Sequence, residues 1–175
     1  MHKIGEIFLY SSNGVMTVVD IREEAVGNQP RSYYVMRSVI GNSDSLFFVP
    51  TDNEKLTSAM YPLLTRENIT ELLDLPIDSS AIEWNDNSRA RTEYFKRIME
   101  SGDRTAILAM IRVIYESGLR RTKIGKKNFL SDEGIRHKAE KMLAIEFSIV
   151  LGITEDEALD KIRAKIEEQH ILNIK

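Results

Sequence analysis

Hydrophobic periodicity changes once along this chain, near Pro50, and the change limits what each part can become. Before it, apolar residues occur in four short runs rich in β-branched and aromatic side chains: Ile7-Phe8-Leu9-Tyr10, Val15-Met16-Thr17-Val18-Val19, Tyr33-Tyr34-Val35-Met36 and Leu46-Phe47-Phe48-Val49. Ser12-Asn13-Gly14, Gly27-Asn28-Gln29-Pro30 and Gly41-Asn42-Ser43-Asp44 separate them. Gly and Asn accept positive φ and Pro presets a negative one, so these separators are turn-formers. Short strands with turn signals every 8 to 12 residues or so predict a small antiparallel barrel or meander.

Beyond Pro50 the period is helical. Asn68 to Leu75 reads as a short helix with Ile69, Leu72 and Leu73 on one face. From Arg89 to Glu100, Tyr94, Phe95, Ile98 and Met99 form an apolar stripe at i, i+4 spacing, with Arg91, Lys96 and Arg97 outside it. Gly102 suits a helix end and Asp103 an N-cap, which predicts a second helix from Arg104 to Ser117 with Ile107, Leu108, Ile111, Ile114 and Tyr115 inward. Gly118 to Asn128 reads as a basic loop. Ser131 offers a hydroxyl cap for a long helix ending near Gly152, with Met142, Leu143, Ile145, Ile149 and Val150 available for the core. Thr154 and Glu157 have capping-box spacing ahead of a last helix bearing Ala158, Leu159, Ile162 and Ile166. The fold class expected is α+β in two domains, a β-rich amino-terminal part and an all-α carboxy-terminal bundle.

Composition excludes several function classes. No cysteine occurs, which removes disulfides, thiolate metal sites and cysteine nucleophiles. His2, His137 and His170 are isolated, without metal-ligand spacing, and neither a phosphate-binding nor a dinucleotide-binding glycine motif is present. Glu155-Asp156-Glu157 reads as helix N-terminal charge complementing the macrodipole. The expectation is a non-enzyme without cofactor or metal. No apolar run reaches the roughly 18 residues a membrane span needs, so the chain reads as soluble and cytoplasmic. Charge is uneven: residues 1–87 carry 6 Lys+Arg against 13 Asp+Glu, residues 88–141 carry 14 against 7, and residues 142–175 carry 4 against 7. The middle excess is either a polyanion-binding surface or a solvated helical face.

Trp84 is the one tryptophan, and it lies among Glu83, Asn85, Asp86, Asn87 and Ser88. A lone tryptophan is commonly a partly buried anchor. Here no apolar neighbour stands at strand or helix spacing, so the local sequence favours exposure.

Taken in order, Asn13-Gly14-Val15, Tyr33-Tyr34-Val35-Met36, Val49-Pro50, Trp84-Asn85, Arg89 and Arg91, Glu93-Tyr94, Ser101-Gly102-Asp103, Leu130-Ser131, Ala139, Leu143 and Glu146 resemble the CarD/CdnL-like bacterial transcription regulators. The resemblance covers nearly the whole chain. It implies a Tudor/SH3-like small β-barrel over residues 1–58 that docks on the β subunit of bacterial RNA polymerase, and a helical DNA-binding domain over residues 59–175. It further implies that Trp84 wedges into the minor groove at the upstream edge of the transcription bubble, so that the protein, a monomer, modulates open-complex stability with little sequence preference. Arg89 and Arg91 match the family's basic positions beside the tryptophan. Arg120, Arg121, Lys126 and Lys127 join them as expected phosphate contacts on charge and loop context. Arg22 and Arg37 are the expected polymerase contacts, because the family docks through arginines. The chain departs from the family at Tyr10-Ser11-Ser12-Asn13-Gly14-Val15-Met16 and at Phe48, where a basic residue commonly precedes Val-Pro, and so resembles a divergent member. The alternative is a protein-interaction adaptor that does not bind DNA, with Trp84 as an interface anchor.

Overall fold

The computed structural model describes residues 2–26, 29–40 and 45–172, so the turns expected at Gly27-Asn28 and at Gly41 to Asp44 lie outside the described residues. Its contacts group into two units, Met1–Leu63 and Leu64–Lys175.

In the first unit, β1 (Ile7–Tyr10), β2 (Val15–Val26), β3 (Gln29–Ser38), β4 (Phe47–Pro50) and β5 (Met60–Pro62) form one antiparallel sheet in the order β4-β3-β2-β1-β5. β1 to β4 are a meander, and β5 returns to pair with the free side of β1 through Phe8 opposite Pro62 and Tyr10 opposite Met60. β4 and β5 are the sheet edges, so the pairing gives an open sheet and not the closed barrel expected. Pro62 fits an edge, where no partner needs its missing N–H.

Alternation sets the core of this unit. Phe8 and Tyr10, Met16 and Val18, and Tyr34 and Met36 lie two apart on their strands and join Val49 and Met60 in a buried cluster, closed by Leu56 and Ala59. Leu56 belongs to α1 (Glu54–Thr57), capped by the Asn53 side chain. The β2–β3 register slips between Val18 and Asp20. Beyond that bulge Ile21 to Ala25 are exposed, and Gln29-Pro30, expected in the turn, instead extends β3 opposite Ala25 and Val26. Phe47 and Phe48 on β4 are 38% and 43% exposed, with Phe48 set edge-on to Tyr33.

The second unit contains α2 (Arg66–Asp74), α3 (Ser88–Glu100), α4 (Arg104–Lys123), α5 (Leu130–Leu151) and α6 (Glu155–Leu172). Four starts carry a side-chain cap, at Thr65, Asn87, Asp103 and Thr154. The Thr154 box is reciprocal: Glu157 N–H donates to the hydroxyl, and Thr154 N–H donates to the Glu157 carboxylate at 2.8 Å. That backbone bond, followed by the hydroxyl bond, holds the Glu157 carboxyl below its ordinary range. Helix α5 packs against α3, α4 and α6. Phe95, Ile107, Leu108, Met110, Ile111, Leu143, Phe147 and Ile162 are fully buried, and each contributes roughly 1.5–3 kcal/mol of transfer free energy. Ile149, expected in the core, is 40% exposed.

Two helix boundaries differ from expectation. α4 continues through Gly118 to Lys123, so Arg120 and Arg121 are helical and the basic loop shrinks to Ile124–Phe129. Gly118 does not end the helix. It is buried beside the Asn128 side chain, whose amide nitrogen would lie 2.8 Å from a Cβ at that position. α5 begins at Leu130 with Phe129 in the cap position, while the Ser131 hydroxyl faces Asp132 and caps nothing.

Candidate nucleic-acid interface

Three buried arginines organise the helical unit. Arg104 at the start of α4 donates two bonds to Glu146 of α5, at 3.0 and 2.7 Å, and a third to the Gly102 carbonyl. Arg112 in α4 donates to the Ile77 carbonyl and to Glu116. Arg91 in α3 donates from Nε and Nη2 to a single carboxylate oxygen of Asp132, at 3.1 and 2.8 Å, and from Nη1 to the Asn85 carbonyl. Each pairs its charge with a carboxylate, the condition under which a guanidinium tolerates burial, and gives a further donor to the main chain of an irregular segment.

Arg91 corrects the sequence expectation. It is 0% exposed and ion-paired, so it is not a phosphate contact. Arg91 stands four residues before Phe95 and so lies on the buried face of α3 with Phe95, Ile98 and Met99, not outside it, and Asp132 supplies its polar partner there. The basic excess of residues 88–141 shrinks accordingly, since Arg104 and Arg112 are buried too and Arg136 is tied to Glu133 and Glu140.

Trp84 is half-buried. Its ring leans on the Arg91 guanidinium, 4.3 Å from Cζ to the ring centroid, and on Phe95 at 6.3 Å between centroids. The exposure favoured by the local sequence is therefore only partial. Its neighbours come from α3, which periodicity around residue 84 does not reveal. Phe129 continues the stack: its ring lies 4.8 Å from Arg91 Cζ and 3.8 Å from Arg121 Cζ. Trp84, Arg121, Asn128, Phe129 and Asp132 line one small cleft of about 10 Å³. The α4–α5 connector is thereby brought beside the tryptophan.

The remaining expected residues separate into groups. Arg89 is exposed in the first turn of α3, where no acidic residue offsets it and the helix dipole disfavours a cation. Arg120, Lys126 and Lys127 are exposed, as is Lys123. Arg121 is half-buried against Phe129 and donates to the Lys127 carbonyl at 2.8 Å. Arg120, Arg121 and Lys123 also complement the negative end of the α4 dipole. In the sheet unit, Arg22 is exposed but pairs with Asp20 and, at 3.8 Å, with Glu24 on its own strand. Arg37 is exposed on β3 opposite Thr17.

Phe129 and Asp132 are members of this site that the sequence reading missed. Phe129 is the aromatic residue closest to the basic run, which was a usable signal. Asp132 carried none, because it meets Arg91 across 41 residues. Among the described residues no cluster of three or more metal-ligating side chains forms, and no helix is long and apolar enough to cross a membrane. No protein-family model and no curated protein matches the chain.

Proposed function

We propose that this chain is a CarD/CdnL-like transcription regulator that acts in the cytoplasm, binds the β subunit of RNA polymerase through its sheet unit, and modulates promoter open-complex stability through Trp84. The observation that carries the reading is one juxtaposition. A half-buried tryptophan, backed on Arg91 and Phe95, stands beside a connector bearing exposed Lys126 and Lys127, with Arg89 exposed in the first turn of the helix that supplies Arg91. An aromatic wedge with cations around it suits an unstacked base step flanked by phosphates. At an opened promoter the unstacking of a few kcal/mol per step has already been borne, so such a wedge favours melted DNA over duplex.

The sheet unit supports the docking half of the proposal. Among the described residues β4 is an edge strand, and Phe47 and Phe48 on it are exposed. An edge of that kind takes an additional strand from a partner. Arg37 remains a suitable polymerase contact, whereas Arg22 would have to leave Asp20 and Glu24. The same exposed phenylalanines favour the second reading, an adaptor in which the edge captures a partner protein and DNA plays no part.

The deciding experiment is the lifetime of open complexes formed by cognate RNA polymerase with no factor, with the wild-type protein and with Trp84→Ala. The expected result is a wild-type change in lifetime that disappears in the variant while polymerase binding is retained. No wild-type effect at any promoter would replace this reading with the adaptor.

A further inference from the structure

The segment that carries Trp84 has no regular secondary structure between α2 and α3, yet it is held at three main-chain carbonyls. Arg112 donates to Ile77, the Tyr94 hydroxyl to Ala81 at 3.3 Å, and Arg91 to Asn85, the residue next to the tryptophan. The last of these donors is also the cation on which the indole rests.

Arg91 is unusual in how completely its orientation is fixed. Asp132 engages Nε and Nη2, so rotation of the guanidinium about its own axis would break two charged hydrogen bonds. Both partners are buried, at 0% and 3% exposure, and solvent does not compete for those bonds. Phe129 occupies the other aromatic position around the same guanidinium, and Arg121 lies on Phe129 in turn. The series Trp84, Arg91, Phe129, Arg121 thus runs from the tryptophan to the basic connector. A planar cation locked in one orientation gives an aromatic neighbour a preferred plane.

We propose that Arg91 and Asp132 are positioning residues for Trp84: their buried ion pair sets the plane and depth of the indole, and through it the strength of the wedge. This inference rests on reading Trp84 as the DNA-contacting side chain, but the placement it asserts can be measured without DNA. Because the chain has one tryptophan, fluorescence excited at the red edge of the protein band reports on that residue alone.

The test compares the wild-type protein with Arg91→Lys, Asp132→Asn and the double variant Arg91→Met with Asp132→Leu. The double variant replaces both charges by apolar side chains and leaves no orphaned ion, an exchange buried pairs commonly tolerate. In proteins whose helical circular dichroism and cooperative melt are retained, acrylamide quenching of Trp84 is expected to rise and its anisotropy to fall in the double variant. Its effect on open-complex lifetime should weaken by at least about threefold, the scale of one stacked cation contact. Arg91→Lys keeps the charge on Asp132 without the planar face, and should fall between the two. If the double variant does not fold, Asp132→Asn, which keeps the shape and removes the charge, is read in the same way.

Unchanged quenching and unchanged lifetimes in a folded variant would overturn the proposal. The wedge reading fails separately: Trp84→Ala without effect on lifetime removes the DNA role, while the fluorescence comparison still decides whether Arg91 and Asp132 hold the indole.

Discussion

Arg89 and Arg91 are two residues apart and have opposite fates, which shows how little a residue's type says about its role. Arg91 is enclosed and satisfied, whereas Arg89 projects into solvent at a helix N-terminus. Their alanine variants should differ accordingly. Arg91→Ala leaves the Asp132 carboxylate buried without its partner and is expected to cost about 3–5 kcal/mol, read from urea unfolding at constant m. Arg89→Ala should change stability by less than about 0.5 kcal/mol and lower the salt slope of DNA binding by about one unit. A large stability loss at Arg89, or none at Arg91, would contradict the burial pattern described above.

At the level of elements, one glycine inside α5 and another at its C-cap meet contrasting demands. Gly152 ends the helix at φ 70° and ψ 38°, the left-handed region that a side chain disfavours, and its N–H donates to the Ser148 carbonyl. Gly134 lies inside the helix, exposed, with nothing within 4 Å of where a Cβ would be. Gly152→Ala should therefore lose about 1 kcal/mol, and Gly134→Ala should gain about 0.5–1 kcal/mol, measured as opposite shifts of the denaturation midpoint. Element boundaries were legible in the sequence at two of the local caps, though not at Thr65, which starts α2 at Arg66 ahead of the expected Asn68. Asp103 and the Thr154–Glu157 box start α4 and α6 as their spacing predicts, because each cap bonds N–H groups within three residues of itself. They were not legible where packing set them. Gly118 reads as a helix breaker until the Asn128 side chain is placed against it. Ser131 reads as a cap until Phe129 is placed between two guanidinium groups.

For the molecule as a whole, the proposed division of labour gives a separable prediction. In the full chain, Phe48→Ser alters an exposed side chain of the sheet edge on the face opposite that of Val49, which belongs to the buried cluster. Capture of RNA polymerase should weaken by roughly tenfold or more, as for loss of an aromatic anchor, while the salt dependence of DNA binding stays unchanged. Equal loss of both activities would argue against separate docking and DNA-contacting units.

The sequence by itself determined most of the order of elements, though neither α1 nor β5: short β-rich runs before Pro50, a helical period from Asn68 onward, and turn and cap residues whose effects reach only three or four positions. Those signals are local, and so are the hydrogen bonds they describe. It also marked Trp84 and the basic run as unusual. Only the tertiary structure decided that β5 returns to β1 and leaves the sheet open, that Arg91 is enclosed while Arg89 is not, and that Asp132 and Phe129 meet the tryptophan's support. The physical reason is distance along the chain. A buried charge is stable only where a partner meets it, and for Arg91 and Arg104 that partner arrives from another helix, the Arg91–Asp132 and Arg104–Glu146 pairs closing over 41 and 42 residues. Neither periodicity nor composition contains that information.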